Sequence, residues 1–287
     1  MNEKLLRLAL QRKGRLADKS LDLLKKAGIQ IDNYSRRLLI KAQNFDLELL
    51  FVRDDDIPEY VQDGVADVGI VGENIVYETG KRIEIAEKLG FGKCRLSLAL
   101  PKAEKFSSVK DLKGKKIATT YPNILKKYLE ENEIDATINF ISGSVEITPN
   151  VNLADAIFDI VDTGSTLISN GLKEAEVVLK SEAVLIANKD LSGGKRKLLD
   201  EILFRIRAVN KAKGTKYIML NAPNRSIEKI TDLLPGVKSP TVMPLALEGW
   251  SSIHTVISEE DFWERIGKLK NAGAQGILVL PIEKIIS

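Results

Sequence analysis

Short apolar runs alternate with stretches of helical spacing through the first two thirds of the chain, and most runs stop at glycine or small polar residues. Leu5 to Leu10 leads into a helix around Leu16 to Ala27, Leu47 to Val52 into one around Ile57 to Asp63, and Val68 to Val71 into Glu73 to Tyr77. Strand followed by helix, repeated, predicts a mostly parallel sheet with crossover helices, so the fold class is α/β. A second set of units begins near Leu98. Ile117 to Thr120 precedes a helix from Ile124 to Glu131, Thr137 to Ile141 precedes the turn Gly143-Ser144-Val145-Glu146, and Ala156 to Val161 precedes a further turn. Two α/β lobes around a cleft follow, with helix amino termini on both walls. The run Ala183 to Asn188 reads as a strand that returns the chain to the first lobe. Lobe one is therefore expected over residues 1–97 and 186–212, and lobe two over 98–185.

After a long helical stretch from about Lys195 to Ala212 the pattern changes. Tyr217 to Asn221, Thr241 to Leu245, Ser252 to Ile257 and Gly276 to Pro281 read as strands, with helices over Ser226 to Leu234 and Glu260 to Ala272. That order, βαββαβ, predicts a ferredoxin-like module over 213–287. Pro235-Gly236 and Ala272-Gly273 stand where its two helices must stop.

Composition narrows the chemistry. With 44% hydrophobic and 29% charged residues, both signs interleaved and a net charge of +3, the chain reads as globular, with no nucleic-acid partner indicated. Apolar runs such as Leu96 to Leu100 and Ile277 to Ile282 are too short to span a bilayer. Arg7, Arg12, Lys13 and Arg15 crowd the amino terminus and argue against a secretory signal, so the expected location is cytoplasmic. One cysteine, Cys94, and one histidine, His254, leave no material for disulfides, Cys/His metal clusters or a Ser-His or Cys-His nucleophile pair. Cys94 opens a strand-like run and reads as core. His254 alternates with Ile253 and Val256, which suits a structural or interface position.

The candidate chemistry lies in Asp159 to Leu172, D-I-V-D-T-G-S-T-L-I-S-N-G-L, a strand that ends in a hydroxyl-rich turn and restarts as a helix. Thr163, Gly164, Ser165 and Thr166 offer consecutive N–H groups, hydroxyls and the positive end of a helix dipole, a set suited to a doubly charged phosphate. Asp159 and Asp162, just upstream, are placed to accept hydrogen bonds from ribose hydroxyls. A plain Ser/Thr-capped helix after a buried strand would look similar.

Several further strings occur in order: Ala9-Leu10-Gln11-Arg12-Lys13-Gly14-Arg15-Leu16, Arg53-Asp54-Asp55-Asp56-Ile57-Pro58, Gly64 through Glu73, Ala118-Thr119-Thr120-Tyr121-Pro122 and Gly143 to Glu146. With Asp155 through Leu172, and with Ser239-Pro240-Thr241-Val242 and Gly276 through Lys284 at the far end, the chain resembles the ATP phosphoribosyltransferase family in its long form. Many members carry Leu-Pro-Lys-Gly-Arg where this chain has Leu10-Gln11-Arg12-Lys13-Gly14-Arg15, which leaves open whether Arg12 or Lys13 faces the substrate.

The resemblance implies two periplasmic-binding-protein-like lobes with a regulatory ferredoxin-like domain, and transfer of phosphoribose from phosphoribosyl pyrophosphate to ring nitrogen 1 of ATP in histidine biosynthesis. It assigns Arg15, Asp159 and Asp162 to catalysis and Asp159, Asp162 and Thr163 to Thr166 to phosphoribosyl pyrophosphate. Lys13, Arg15, Arg53, Gly72, Glu73, Tyr121 and Glu146 fall to ATP, and Asn221, Ser239, Thr241 and Gly276 to inhibitory histidine. Mg2+ is the expected cofactor, carried mainly by substrate phosphates with Asp159 or Asp162 as possible ligands. Dimers assembling into hexamers are the expected homo-oligomers. Read from the residues alone, Gly72-Glu73 and Glu146 suit cleft or cap equally, Tyr121 suits adenine stacking or packing, and Asp54 to Asp56 suit capping better than metal binding, because Pro58 marks the next helix's first turn.

Competing readings are a non-catalytic bilobal binding protein, which would need an export signal, and a prephenate dehydratase-like enzyme, whose Thr-Arg-Phe string is absent here. The ligand-sensing half of a transcription regulator lacks a helix-turn-helix companion.

Overall fold

The computed structural model describes residues 5–32, 37–234, 236 and 239–286. Its contacts divide the chain into two compact units, Met1–Leu203 and Phe204–Ser287, so the division falls inside a helix.

In the first unit, β1 (Leu6–Gln11), α1 (Arg15–Lys26), β2 (Leu39–Lys41), β3 (Leu47–Val52), α2 (Ile57–Gln62), β4 (Val68–Gly72), α3 (Glu73–Thr79) and β5 (Ile83–Lys88) build one lobe. A second lobe consists of β6 (Cys94–Pro101), β7 (Lys116–Thr119), α4 (Pro122–Glu131), β8 (Thr137–Phe140), β9 (Ala156–Val161), α5 (Ser165–Ser169) and β10 (Leu172–Ser181). The next strand, β11 (Ala183–Asn188), re-enters the first sheet, whose order is β2-β3-β1-β4-β11-β5; the second sheet runs β10-β6-β9-β7-β8.

Both sheets are mixed, where the alternating pattern predicts mostly parallel ones. The pairs β1/β3, β1/β4, β7/β8 and β7/β9 are parallel, while β11 and β6 run antiparallel to their neighbours. The reason is geometric. Parallel strands deliver their carboxyl ends to the cleft, and a chain that crosses there starts its new strand at the cleft and must run the other way. Buried Leu6, Leu8, Leu10, Leu47 and Leu49 fill the first sheet, and Phe158, Leu96, Leu98 and Ile117 fill the second. At a coefficient of about 25 cal/mol per Å² of apolar surface removed from water, such side chains dominate each lobe's stability.

Polar ties also join the lobes on one flank. The Glu78 carboxylate of α3 accepts the N–H groups of Asn123 and Ile124 at 2.9 and 3.0 Å, which caps α4 of the other lobe. Asn74 Oδ1 accepts from Ser181 Oγ at 2.9 Å, and Asn74 Nδ2 donates to Tyr121 Oη at 3.3 Å. A Cβ at Gly72 would crowd Asn74 Oδ1, so any side chain there would have to displace the Asn74–Ser181 bond.

In the carboxyl-terminal unit, the end of α6 (Gly193–Ala212) precedes β12 (Thr215–Pro223), α7 (Ile227–Leu233), β13 (Thr241–Pro244), β14 (Trp250–Ser258), α8 (Glu259–Asn271) and β15 (Gln275–Pro281). Strand order β13-β14-β12-β15, with every pair antiparallel, is the ferredoxin-like arrangement the sequence predicts. Ile218, Leu220 and Ala222 of β12 point to the core with Ile253 and Ile257 of β14, following the period of two. Gly273 ends α8 with φ +98°, as its position suggests; Pro235, the stop expected after α7, lies outside the described residues. Among the described residues no helix is long and apolar enough to cross a membrane.

Candidate active site

The loop between β9 and α5 lines a cavity of about 380 Å³, and its walls include Asp159, Asp162, Thr163, Gly164, Ser165 and Thr166, with Glu146 to one side and Arg15 from the opposite lobe. The strand brings Asp159 to the cleft half buried, while Asp162 and the hydroxyl residues are exposed. Gly164 adopts φ +83°, a left-handed conformation; a Cβ there would meet nothing nearer than 3.8 Å, so glycine is required by backbone and not by space. Thr163 Oγ1 lies 3.0 Å from Ser165 Oγ. The N–H groups of Thr163, Gly164 and Thr166 have no acceptor among the described residues, which leaves them available to an anion. α5 spans only five residues, so the helix dipole contributes less than these local amides.

Arg15 Nη1 donates to Asp162 Oδ2 at 3.1 Å across the cleft. Their side chains are 86% and 50% exposed, and a pair so exposed contributes at most about 1 kcal/mol, which an incoming phosphate can displace. Asp159 Oδ1 accepts the Ile160 N–H at 2.8 Å and the Thr120 hydroxyl at 3.3 Å. Burial outweighs those bonds and, together with the Glu146 carboxylate, raises the Asp159 carboxyl above the ordinary aspartate range.

The remaining predicted residues are distributed. Lys13 and Arg53 line a separate cavity of about 360 Å³ at the ends of β1 and β3, and Arg12 lines it as well, so both candidate cations face the same space. Asp54 to Asp56 form a 3-10 turn and make no side-chain cap to α2. Glu73 is buried, accepts Lys88 Nζ at 2.9 Å and Tyr77 Oη at 3.1 Å, and borders a third cavity of about 490 Å³. Asp162 is on the wall of that cavity too, so the third space adjoins the first. Half-buried Cys94 also borders it, where the sequence pattern predicts core. Tyr121 packs against the hydrophobic clusters of both lobes, and burial pushes its hydroxyl's pKa upward.

Two residues without a local signal belong to this neighbourhood. Arg95 of β6 donates through Nη1 to the Asp162 carbonyl at 2.8 Å and through Nε and Nη2 to Glu174 of β10 at 2.6 and 2.8 Å. Neither falls in a recognisable string, because only strand pairing brings them to the loop.

In the carboxyl-terminal module, Asn221 Nδ2 stands 3.4 Å from where a Cβ of Gly276 would be, so these two adjoin. Thr241 pairs with His254 on the far side of β14, and with nearby Ser239 it forms a separate exposed group. His254 is held on both ring nitrogens, by Tyr217 Oη at 2.8 Å and Ser252 Oγ at 2.9 Å.

A family model described as HisG, ATP phosphoribosyltransferase, matches residues 53–208, and one described as HisG, C-terminal domain, matches 212–284. The ATP phosphoribosyltransferase of Cytophaga hutchinsonii is 60% identical over 98% of this chain and 98% of its own. That of Phocaeicola vulgatus is 56% identical over 98% of this chain and 100% of its own. Among solved structures, the ATP phosphoribosyl transferase (HisG:HisZ) complex from Thermotoga maritima aligns with TM-score 0.60 at 30% identity, covering 70% of this chain and 98% of that one. By both models and by these near full-length relatives, the chain belongs to the ATP phosphoribosyltransferase family, transferases of histidine biosynthesis.

Proposed function

We propose that this chain joins ATP to phosphoribosyl pyrophosphate in the cleft of its first unit, with the loop from Thr163 to Thr166 holding the sugar's 5-phosphate. The observation that carries this reading is the meeting of unpartnered loop amides, Asp159, Asp162 and Arg15 on one cavity. Adenine nitrogen 1 attacks the anomeric carbon with its own lone pair. The bond from that carbon to the pyrophosphate oxygen breaks, and its electron pair leaves with pyrophosphate. No strong base is needed, so positioning and charge carry the rate. Asp159 and Asp162 hold the ribose hydroxyls and face the positive charge that develops on the sugar. Arg15 meets phosphate oxygens from the opposite lobe, where a guanidinium fork suits them. Lys13 and Arg53, with Arg12, serve the phosphates of ATP; Gly72, Glu73, Tyr121 and Glu146 shape its side of the cleft.

Magnesium is the divalent ion we assign, and when bound it neutralises the pyrophosphate leaving group. Among the described residues no three His, Cys, Asp or Glu side chains gather as a metal site. Asp159 or Asp162 would be the carboxylates in reach of the ion, which would take its other oxygens from substrate and water. Histidine is the feedback inhibitor we assign to the carboxyl-terminal module, with Asn221 and Gly276 as one group of contacts and Ser239 and Thr241 as the other, and with a coupling to the cleft of about 1–3 kcal/mol. The protein works in the cytoplasm as dimers that assemble into hexamers. Exposed Met243, Leu278 and Leu280 on the carboxyl-terminal sheet support self-association.

Turnover with ATP, phosphoribosyl pyrophosphate and magnesium, followed by identification of the product, tests the reaction. Thr166→Ala is expected to raise KM for phosphoribosyl pyrophosphate about tenfold, the range for a hydrogen bond to a charged group. Unchanged kinetics in that variant would remove the loop from the site. Calorimetry that finds no histidine binding would remove the inhibitor.

A further inference from the structure

Asp162 is held twice. Its carboxylate meets Arg15 of the opposite lobe, while its carbonyl accepts from Arg95 Nη1 at 2.8 Å within its own lobe. Arg95 is itself fixed as a fork. Nε and Nη2 reach the two Glu174 oxygens at 2.6 and 2.8 Å, and Ser97 Oγ donates to Glu174 Oε1 at 2.6 Å. Bidentate pairing of this kind fixes the guanidinium plane and the direction of its third donor. In a trans peptide the carbonyl and the following N–H point in opposite directions. Pinning the Asp162 carbonyl onto Arg95 therefore fixes the direction of the Thr163 N–H, the first amide of the loop, on the opposite edge of that peptide. The Cα of Gly164 is close by as well, since a Cβ there would lie 4.0 Å from Arg95 Nη2.

We propose that Arg95, clamped by Glu174, is a positioning residue for phosphoribosyl transfer: it orients the peptide between Asp162 and Thr163 so that the loop amides are preset for the sugar phosphate. The inference rests on the loop being the phosphate site. Lysine is not equivalent, because its ammonium is a single rotatable point of donation without the planar fork that fixes the direction of the third donor.

Glu174→Gln provides the decisive test. If Arg95 acted only as a charge near a phosphate, loss of the Glu174 anion would lower KM for phosphoribosyl pyrophosphate. Positioning predicts the opposite sign: a rise of about three- to tenfold in Glu174→Gln and about tenfold or more in Arg95→Gln and Arg95→Lys, with KM for ATP unchanged within about twofold. Kinetics are read beside calorimetric binding of phosphoribosyl pyrophosphate and thermal unfolding of each full-length variant. Should Arg95→Gln not fold, the nearly isosteric Glu174→Gln decides alone. A Glu174→Gln KM that falls or stays level, or a loss confined to kcat through a smaller active fraction, overturns the proposal while Thr166→Ala still raises KM. If Thr166→Ala also leaves KM unmoved, the phosphate site is elsewhere and both readings fall.

Discussion

Asp159 carries the clearest consequence at the scale of one residue. Its carboxyl is raised chiefly by burial and additionally by Glu146, so it takes up a proton at a higher pH than an exposed aspartate. Accepting bonds from two ribose hydroxyls requires the carboxylate, so kcat/KM for phosphoribosyl pyrophosphate should fall as pH drops through that raised value. Glu146→Gln removes the like charge but not the burial. The acidic limb of the pH profile should therefore move to lower pH in this variant, and a limb that stays in place or moves up would contradict the assignment. For stability the sign is reversed: a folded value above the unfolded one penalises the fold at neutral pH, and the penalty shrinks as pH falls below the folded value and is gone below the unfolded one. Asp159, Asp162 and the loop were legible because they lie in one short run whose spacing the strand and turn preserve. Arg15 was legible only through resemblance. Arg95 and Glu174 were not legible, since 79 positions separate them and nothing in either string marks the pairing.

Among the elements, the turn at Gly164 is the most exacting. Gly164→Ala has room for its methyl group but must hold φ +83°, a cost of about 1–2 kcal/mol for a residue with a Cβ. Urea unfolding should register that loss, and KM for phosphoribosyl pyrophosphate should rise with it. Elements with clean periodicity were readable in advance: β1, β3, β9, α1 and the whole βαββαβ order. β10 was not. It is an edge strand with two register shifts, between Glu174 and Glu176 and between Val177 and Leu179, and each shift reverses the in-out alternation by which a strand is recognised. The short β2 and the edge strand β5 also carried too little signal, although Ile83 and Ile85 do flank Glu84.

For the molecule as a whole, the two-lobed plan followed from alternating strands and helices, whereas the mixed direction of both sheets followed only from where the chain crosses. Far from the phosphate loop, Lys195 Nζ grips Asp67 at 2.7 and 2.9 Å, and the two side chains are 9% and 8% exposed. Lys195→Met leaves a buried carboxylate whose remaining partner among the described residues is the Arg7 N–H at 2.8 Å, and denaturant unfolding should show a loss of about 3–5 kcal/mol. A loss under 1 kcal/mol would mean that water reaches the site. Glu78 has a different kind of reach. Because it caps α4 from the neighbouring lobe, any swing that parts the lobes on that flank strips a helix of its end acceptors and frays it. That flank should therefore act as a fulcrum, with the wider excursion expected at the rim where Arg15 and Asp162 touch weakly.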